Sequence, residues 1–220
     1  MELDVCYLDP WLAVVRKPAG IHVRGNRART VHRALRHNLG ISDLPDALPD
    51  PDPVHRLDYR TSGLLLVARA AGVRRDLCKI FENRQIYKHY RAVLVGRLEG
   101  EGEVHDLLDG REAHTRWRAV AHSRSLHVGW LTAMDLFPHT GRTHQLRRHM
   151  TGLGHPVLGD DLHHIGPPYR GGGLFLCAIG QRFEHPITGE TVDLSIDPPA
   201  KFQTMMDRES RRWARWQEKV

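Results

Sequence analysis

The 220-residue sequence predicts an α+β fold with a mainly antiparallel mixed sheet and flanking helices. Three observations carry this. Short runs rich in β-branched and aromatic residues outnumber the helical segments. Strands and helices do not alternate strictly, as a parallel βαβ array would require. No segment repeats at a fixed period, and no tract is of low complexity.

The elements follow in chain order. Val5 to Leu8 and Trp11 to Arg16 read as strands, and Lys17-Pro18-Ala19-Gly20 breaks the pattern. Thr30 is an N-cap for a helix over Val31 to Asn38, and Gly40 is its stop. Residues 41–53 are a Pro- and Asp-rich connector unsuited to a helix or a central strand. Leu64 to Ala68 is a continuous apolar run, the mark of a strand buried on both faces. A helix over Ala71 to Asn83 and a strand over Ile86 to Gly96 come next. Several strands are expected between Glu103 and Phe137, with turns at Gly110, Ser123-Arg124-Ser125 and Gly129. A basic helix spans Arg142 to Thr151, with Gly152 and Gly154 to end it. Residues 159–173 form a Gly/Pro loop, and Leu174 to Phe183 is a strand. The turn from His185 to Glu190 leads to a strand at residues 191–194. Pro198-Pro199 introduces a C-terminal helix over about residues 199–218.

The composition bounds the function. Hydrophobic residues make up 40% of the chain, enough for a sizeable core, and charged residues 26%. The net charge is +6 and the isoelectric point about 9.5, a balance suited to a polyanion partner. Cys6, Cys78 and Cys177 are scattered, against a disulfide framework or a zinc-cysteine site. The acidic N-terminus does not resemble a signal peptide, and no apolar run reaches bilayer length. The expectation is a cytoplasmic protein with no membrane contact.

One segment concentrates polar, chemically able side chains between the Pro-rich connector and the buried strand: His55-Arg56-Leu57-Asp58-Tyr59-Arg60-Thr61-Ser62-Gly63. A carboxylate at the mouth of a rigid strand is well placed for chemistry, and Arg56 and Arg60 flank Asp58 to hold it ionised. Taken alone, the blander reading is a loop of surface charges.

HRLD followed by TSG resembles the catalytic signature of the RluA-like pseudouridine synthases. Further matches occur in that family's order. Lys17-Pro18-Ala19-Gly20 resembles its KPxG segment, and Lys88-His89-Tyr90-Arg91-Ala92 its KxYxA strand. Ala113-His114-Thr115 resembles its AxT element. Gly141-Arg142-Thr143-His144-Gln145-Leu146-Arg147 resembles its GRTHQ[IL]R segment, and Gly154-His155-Pro156-Val157-Leu158-Gly159-Asp160 its GHPxLGD loop. The resemblance implies a pseudouridine synthase catalytic fold in a single domain over residues 1–220. KPAG begins at residue 17, so no separate N-terminal RNA-binding domain is expected.

The implied reaction converts specific uridines of structured RNA, in tRNA or ribosomal RNA, to pseudouridine. Asp58 is then the essential carboxylate. Attack on the sugar, attack on the base, and proton abstraction at the sugar carbon 2′ all stay open. Tyr90 is the family's active-site tyrosine, able to stack on uracil. Arg147 is the arginine that pairs with the catalytic aspartate through its fork of donors. Leu146 lines the uracil pocket. Arg56 enters the RNA stack when the uridine is flipped out. Thr61, Arg142 and His144 are further substrate-binding candidates, and in the basic run Arg142 to His149, residues His144 and Arg148, four apart, share one helical face as a candidate phosphate contact.

No cofactor is expected. Neither HExxH nor a Cys/His ligand spacing occurs, His163-His164 are merely adjacent, and Asp160-Asp161 reads as a solvated pair, so no metal is expected. Gly171-Gly172-Gly173 lacks the Lys-Ser/Thr of a phosphate loop. The Arg-rich helix around Trp213 and Trp216 reads either as a basic helix with stacking aromatics or as a surface helix packed through those two rings. A monomer is the default for an enzyme that envelops a large RNA. The alternative function is a non-catalytic RNA-binding protein on the same fold.

Overall fold

The computed structural model describes residues 1–166, 169 and 171–219. Its strands are β1 (Asp4–Leu8), β2 (Leu12–Lys17), β3 (Ala47–Pro53), β4 (Ser62–Ala70), β5 (Tyr87–Val95), β6 (Glu101–Leu108), β7 (Arg111–Ser125), β8 (Gly129–Pro138), β9 (Leu176–Glu184) and β10 (Thr191–Ser195). Its helices are α1 (Val31–Leu39), α2 (Ala71–Glu82), α3 (Gln145–Gly152) and α4 (Lys201–Gln217). The expected α+β class holds, and the antiparallel ladders include β1–β2, β2–β4, β5–β8, β6–β7, β7–β8 and β9–β10. Two compact units emerge, one from Met1–Lys88 with Ala178–Ile196, the other from His89–Cys177 with Asp197–Val220.

In the first unit the strands run β1-β2-β4-β9, with β3 also on β4 and β10 on β9. The apolar run of β4 is fully buried from Leu64 to Ala68, as a two-faced strand should be. One side, Leu64, Leu66 and Ala68, packs with Val73 and Leu77 of α2, Leu12 and Val14 of β2, Phe183 and Val192. Each fully buried leucine contributes roughly 2 kcal/mol. Helix α1 starts where Thr30 accepts a hydrogen bond from the Arg33 N–H at 3.2 Å and stops at Gly40, with φ 64°. Residues 47–53 do form a strand, which the connector reading missed. It is not a central one: it pairs with β4 through Ala47, Asp52 and Pro53, with a register shift between Ala47 and Asp52. Pro51 and Pro53 alternate with Asp52 and Val54, and the Val54 N–H donates to Leu66 O at 3.1 Å. The missing proline donors therefore fall on the side away from β4.

In the second unit the order is β5-β8-β7-β6. Ala92 and Leu94 of β5, Met134 and Leu136 of β8, and Leu146 and Met150 of α3 share one core with Val157, Leu174 and Leu176. Gly110 does make the β6–β7 turn, with Asp109 and Gly110 both at positive φ. Ser123 to Ser125 do not turn: they continue β7, and the chain reverses at residues 126–128. Those serines dock α4 instead. Ser123 Oγ donates to Met206 O at 2.9 Å and Ser125 Oγ to Glu209 Oε2 at 2.7 Å. Helix α4 buries Phe202, Met205, Met206 and Glu209 rather than its tryptophans. Trp213 and Trp216 pack on each other at 5.1 Å, Trp216 is 45% exposed, and Arg124 lies over the Trp213 ring at 5.0 Å. The Gly/Pro loop carries no strand among its described residues; Pro167, Pro168 and Arg170 lie outside them. Among the described residues no helix is long and apolar enough to cross a membrane.

Candidate active site

Asp58 sits half-buried in a tight turn before β4, its carbonyl accepting from the Thr61 N–H at 3.1 Å. The KPAG segment holds this turn from beneath. Lys17 is 0% exposed, and its ammonium donates to the carbonyls of Pro18 at 2.9 Å, Tyr59 at 3.2 Å and Thr61 at 2.7 Å. The Gly20 N–H adds a bond to Tyr59 O at 2.8 Å, and the His22 ring packs on Tyr59 at 4.6 Å. An ammonium with three donors thus replaces water for carbonyls the turn cannot otherwise satisfy.

The rest of the motif is mostly structural. The His55 Nε2 accepts from the Leu66 N–H at 2.9 Å while its ring stacks on Phe81. Burial, then the nearby Lys88 charge, pushes the His55 imidazole down to about 3, so it is neutral here. Lys88 itself is pushed down to about 8 by burial and by Arg84. Gly63, at φ 118°, lets the backbone of Ala178 in β9 pass where any Cβ would collide. Thr61 is buried, and its Oγ1 lacks a hydrogen-bond partner among the described residues. Arg56 is exposed.

The remaining site residues belong to the second unit. Tyr90, on β5 opposite Leu136, packs partly buried against the cluster that contains Leu146. Arg147 is buried on α3, and its Nε and Nη2 donate to Asp160 at 2.6 and 2.5 Å. Asp160 is therefore no solvated loop carboxylate. It is 2% exposed, and its Oδ1 also accepts from the Leu162 and His163 N–H groups, each at 3.0 Å. Burial pushes the Asp160 carboxyl up, but Arg147 and the two N–H groups outweigh that and hold it below the usual range.

The start of α3 differs from expectation. The helix begins at Gln145, and His144 precedes it in the left-handed region at φ 54°. His144 and Arg148 consequently do not form one helical face; the His144 ring meets His163, and Arg148 pairs with Asp109 at 2.9 Å. Gln145 fixes this corner. Its Oε1 accepts from Thr140 Oγ1 at 2.6 Å and from the Arg142 N–H at 2.9 Å. Its Nε2 donates to His114 O and Thr115 Oγ1, each at 3.0 Å. The buried amide thus ties the GRTHQLR segment to the AHT element, while Arg142 Nε donates to Glu112 O at 2.9 Å. The GHPVLGD loop runs along β5: Leu158 N–H donates to Val93 O, and Val95 N–H to Pro156 O. That fastening delivers Asp160 to Arg147. Lys17, Gln145 and Asp160 each lie inside a quoted motif, but only their partners reveal what they do.

One unit carries the clamped turn of Asp58, and the other carries the buried Arg147 and the partly buried Tyr90. Residues 12–151 match the family model described as RNA pseudouridylate synthase, and the chain belongs to that family, whose members are isomerases. Among its relatives is the dual-specificity RNA pseudouridine synthase RluA of Haemophilus influenzae, 35% identical over 86% of this chain and 90% of that one. The tRNA pseudouridine synthase C of Pasteurella multocida is 34% identical over 88% of this chain and 90% of its own. The ribosomal large subunit pseudouridine synthase D of Vibrio parahaemolyticus is 32% identical over 94% of this chain and 70% of its own. Among solved structures, human RNA pseudouridylate synthase domain containing 1 aligns with a TM-score of 0.75 at 25% identity, covering 90% of this chain and 84% of that one.

Proposed function

We propose that this protein isomerises specific uridines of tRNA or ribosomal RNA to pseudouridine, with Asp58 as the essential carboxylate and residues 1–220 acting as one catalytic domain. The observation that carries the reading is the Asp58 turn, held by the buried Lys17 within the family's own motif order. Relatives named for tRNA and for ribosomal RNA substrates support RNA as partner and leave both classes in play. In this reading the target uridine leaves the stack, and Arg56 takes its place. The exposure of Arg56 suits that role. Tyr90 and Leu146 receive the uracil. The Thr61 hydroxyl, Arg142 and His144 contact the substrate. Arg147 is the arginine assigned to the catalytic carboxylate, and Asp160 fixes the plane of its guanidinium, much as an outer carboxylate orients a catalytic base. The protein works as a cytoplasmic monomer without a cofactor.

The test is tritium release from RNA labelled at uracil carbon 5, with bulk tRNA and ribosomal RNA in parallel. Wild type releases label, and Asp58→Asn, which still binds RNA, releases none. Turnover by Asp58→Asn at the wild-type rate would remove Asp58 from the mechanism. Binding without release by the wild type on either RNA would favour the non-catalytic alternative.

A further inference from the structure

Glu103 and His105 project from the same side of β6, two residues apart, and His114 stands directly opposite His105 on β7. The side chains converge. His105 Nε2 lies 3.1 Å and His114 Nε2 3.0 Å from the same oxygen, Oε2 of Glu103. Those three ligand atoms all fall within 4.8 Å of one another. The other carboxylate oxygen, Oε1, faces Arg116 Nε at 3.3 Å. The His105 and His114 rings stack at 3.8 Å, and His139 stacks on His114 at 4.2 Å.

We propose that Glu103, His105 and His114 form a binding site for a divalent first-row transition metal, zinc(II) being the ion its donors suit best. Two imidazole nitrogens, which are borderline donors, and one carboxylate oxygen, which is a hard one, make a mixed set of the kind zinc takes. In a tetrahedral site with bonds of about 2.05 Å, ligand atoms stand about 3.3 Å apart. The Nε2–Oε2 separations are already close to that, and the two stacked rings must swing apart about their side-chain torsions to aim both Nε2 lone pairs at one ion. Arg116 occupies Oε1 and leaves Oε2 to bind as a single ligand, the usual role of an outer hydrogen-bond partner. Solvent completes the coordination. Each ring must offer Nε2 unprotonated, with its remaining proton on Nδ1. The ion would cross-link β6 to β7 and is separate from the isomerisation. The sequence hides the site because its ligands come from two strands and meet only through the hairpin register.

The test uses full-length, tag-free protein titrated with zinc(II) against a chromophoric chelator, and cobalt(II) absorption as a second readout. The wild type binds one equivalent with micromolar affinity, shows a tetrahedral cobalt band, and melts at a higher temperature with zinc. His105→Ala and His114→Ala each weaken binding at least about tenfold and abolish the band and the thermal shift. His127→Ala, an exposed histidine elsewhere, changes nothing. Equal affinity in wild type and both variants would assign binding to other histidines and overturn the proposal. A wild type with no binding below about 100 µM zinc would overturn it as well.

Discussion

A lysine ammonium withdrawn completely from water costs several kcal/mol unless hydrogen bonds replace its hydration. At Lys17 they do, through the carbonyls of Pro18, Tyr59 and Thr61. Lys17→Met should remove the donor from the Pro18 and Thr61 carbonyls, leave Tyr59 O with the Gly20 N–H alone, and cost about 3 kcal/mol of stability. It should also lower kcat more than it raises KM, because the turn that carries Asp58 loosens. Urea denaturation and tritium release check both, and a variant with wild-type stability and kcat would show the clamp to be dispensable. The segment around Asp58 was conspicuous in the sequence because its neighbours form a motif. The work of Lys17 was not, because two of its acceptors lie 42 and 44 residues further along the chain. The pairing of Arg147 with Asp160 was hidden for the same reason: an adjacent pair of aspartates in a loop looks solvated until a helix is placed against it.

Single elements show where pattern reading stops. The apolar run of β4, the Thr30 cap of α1 and the Gly110 turn obey local rules, and all were readable. Strand β3 was not, because proline frequency argues against strands while proline spacing, which decides whether an edge survives, is seen only against a partner. Helix α4 tells a similar story: its tryptophans drew attention, yet its buried residues are Phe202, Met205, Met206 and Glu209. Glu209 is 2% exposed and takes Ser125 Oγ at 2.7 Å. Glu209→Ala should strand that hydroxyl and cost about 1–3 kcal/mol. Chemical denaturation measures it. No loss would mean that the apolar residues alone hold α4 on β7.

For the molecule as a whole, acid acts in two stages. The His55 imidazole, depressed to about 3, binds a proton in the unfolded chain before it does in the folded one. Stability present above the ordinary histidine range is therefore lost as pH falls from about 6.5 towards 3, by about 2 kcal/mol at pH 5. Asp135 enters later. Burial pushes its carboxyl up, but His89 and Arg91 hold it down at about 2, so its contribution persists until pH falls below about 4 and disappears near 2. Lys88, depressed to about 8, makes stability rise with pH between there and the ordinary lysine value. His55→Gln keeps an acceptor for the Leu66 N–H, and should reduce the slope between pH 6.5 and 4 while leaving the drop below 4; burial depresses His149 and His163 as well, so part of the slope stays. An unchanged first stage would mean another group is responsible. The chain path has a consequence of a different kind. Residues 1–88 leave the first unit, and its core residues Phe183 and Val192 arrive only after the whole stretch from His89 to Cys177. On the ribosome the opening segment must therefore wait with one side of its core uncovered until nearly all of the protein has emerged. That exposes the Leu64 to Ala68 run to chaperones for most of synthesis.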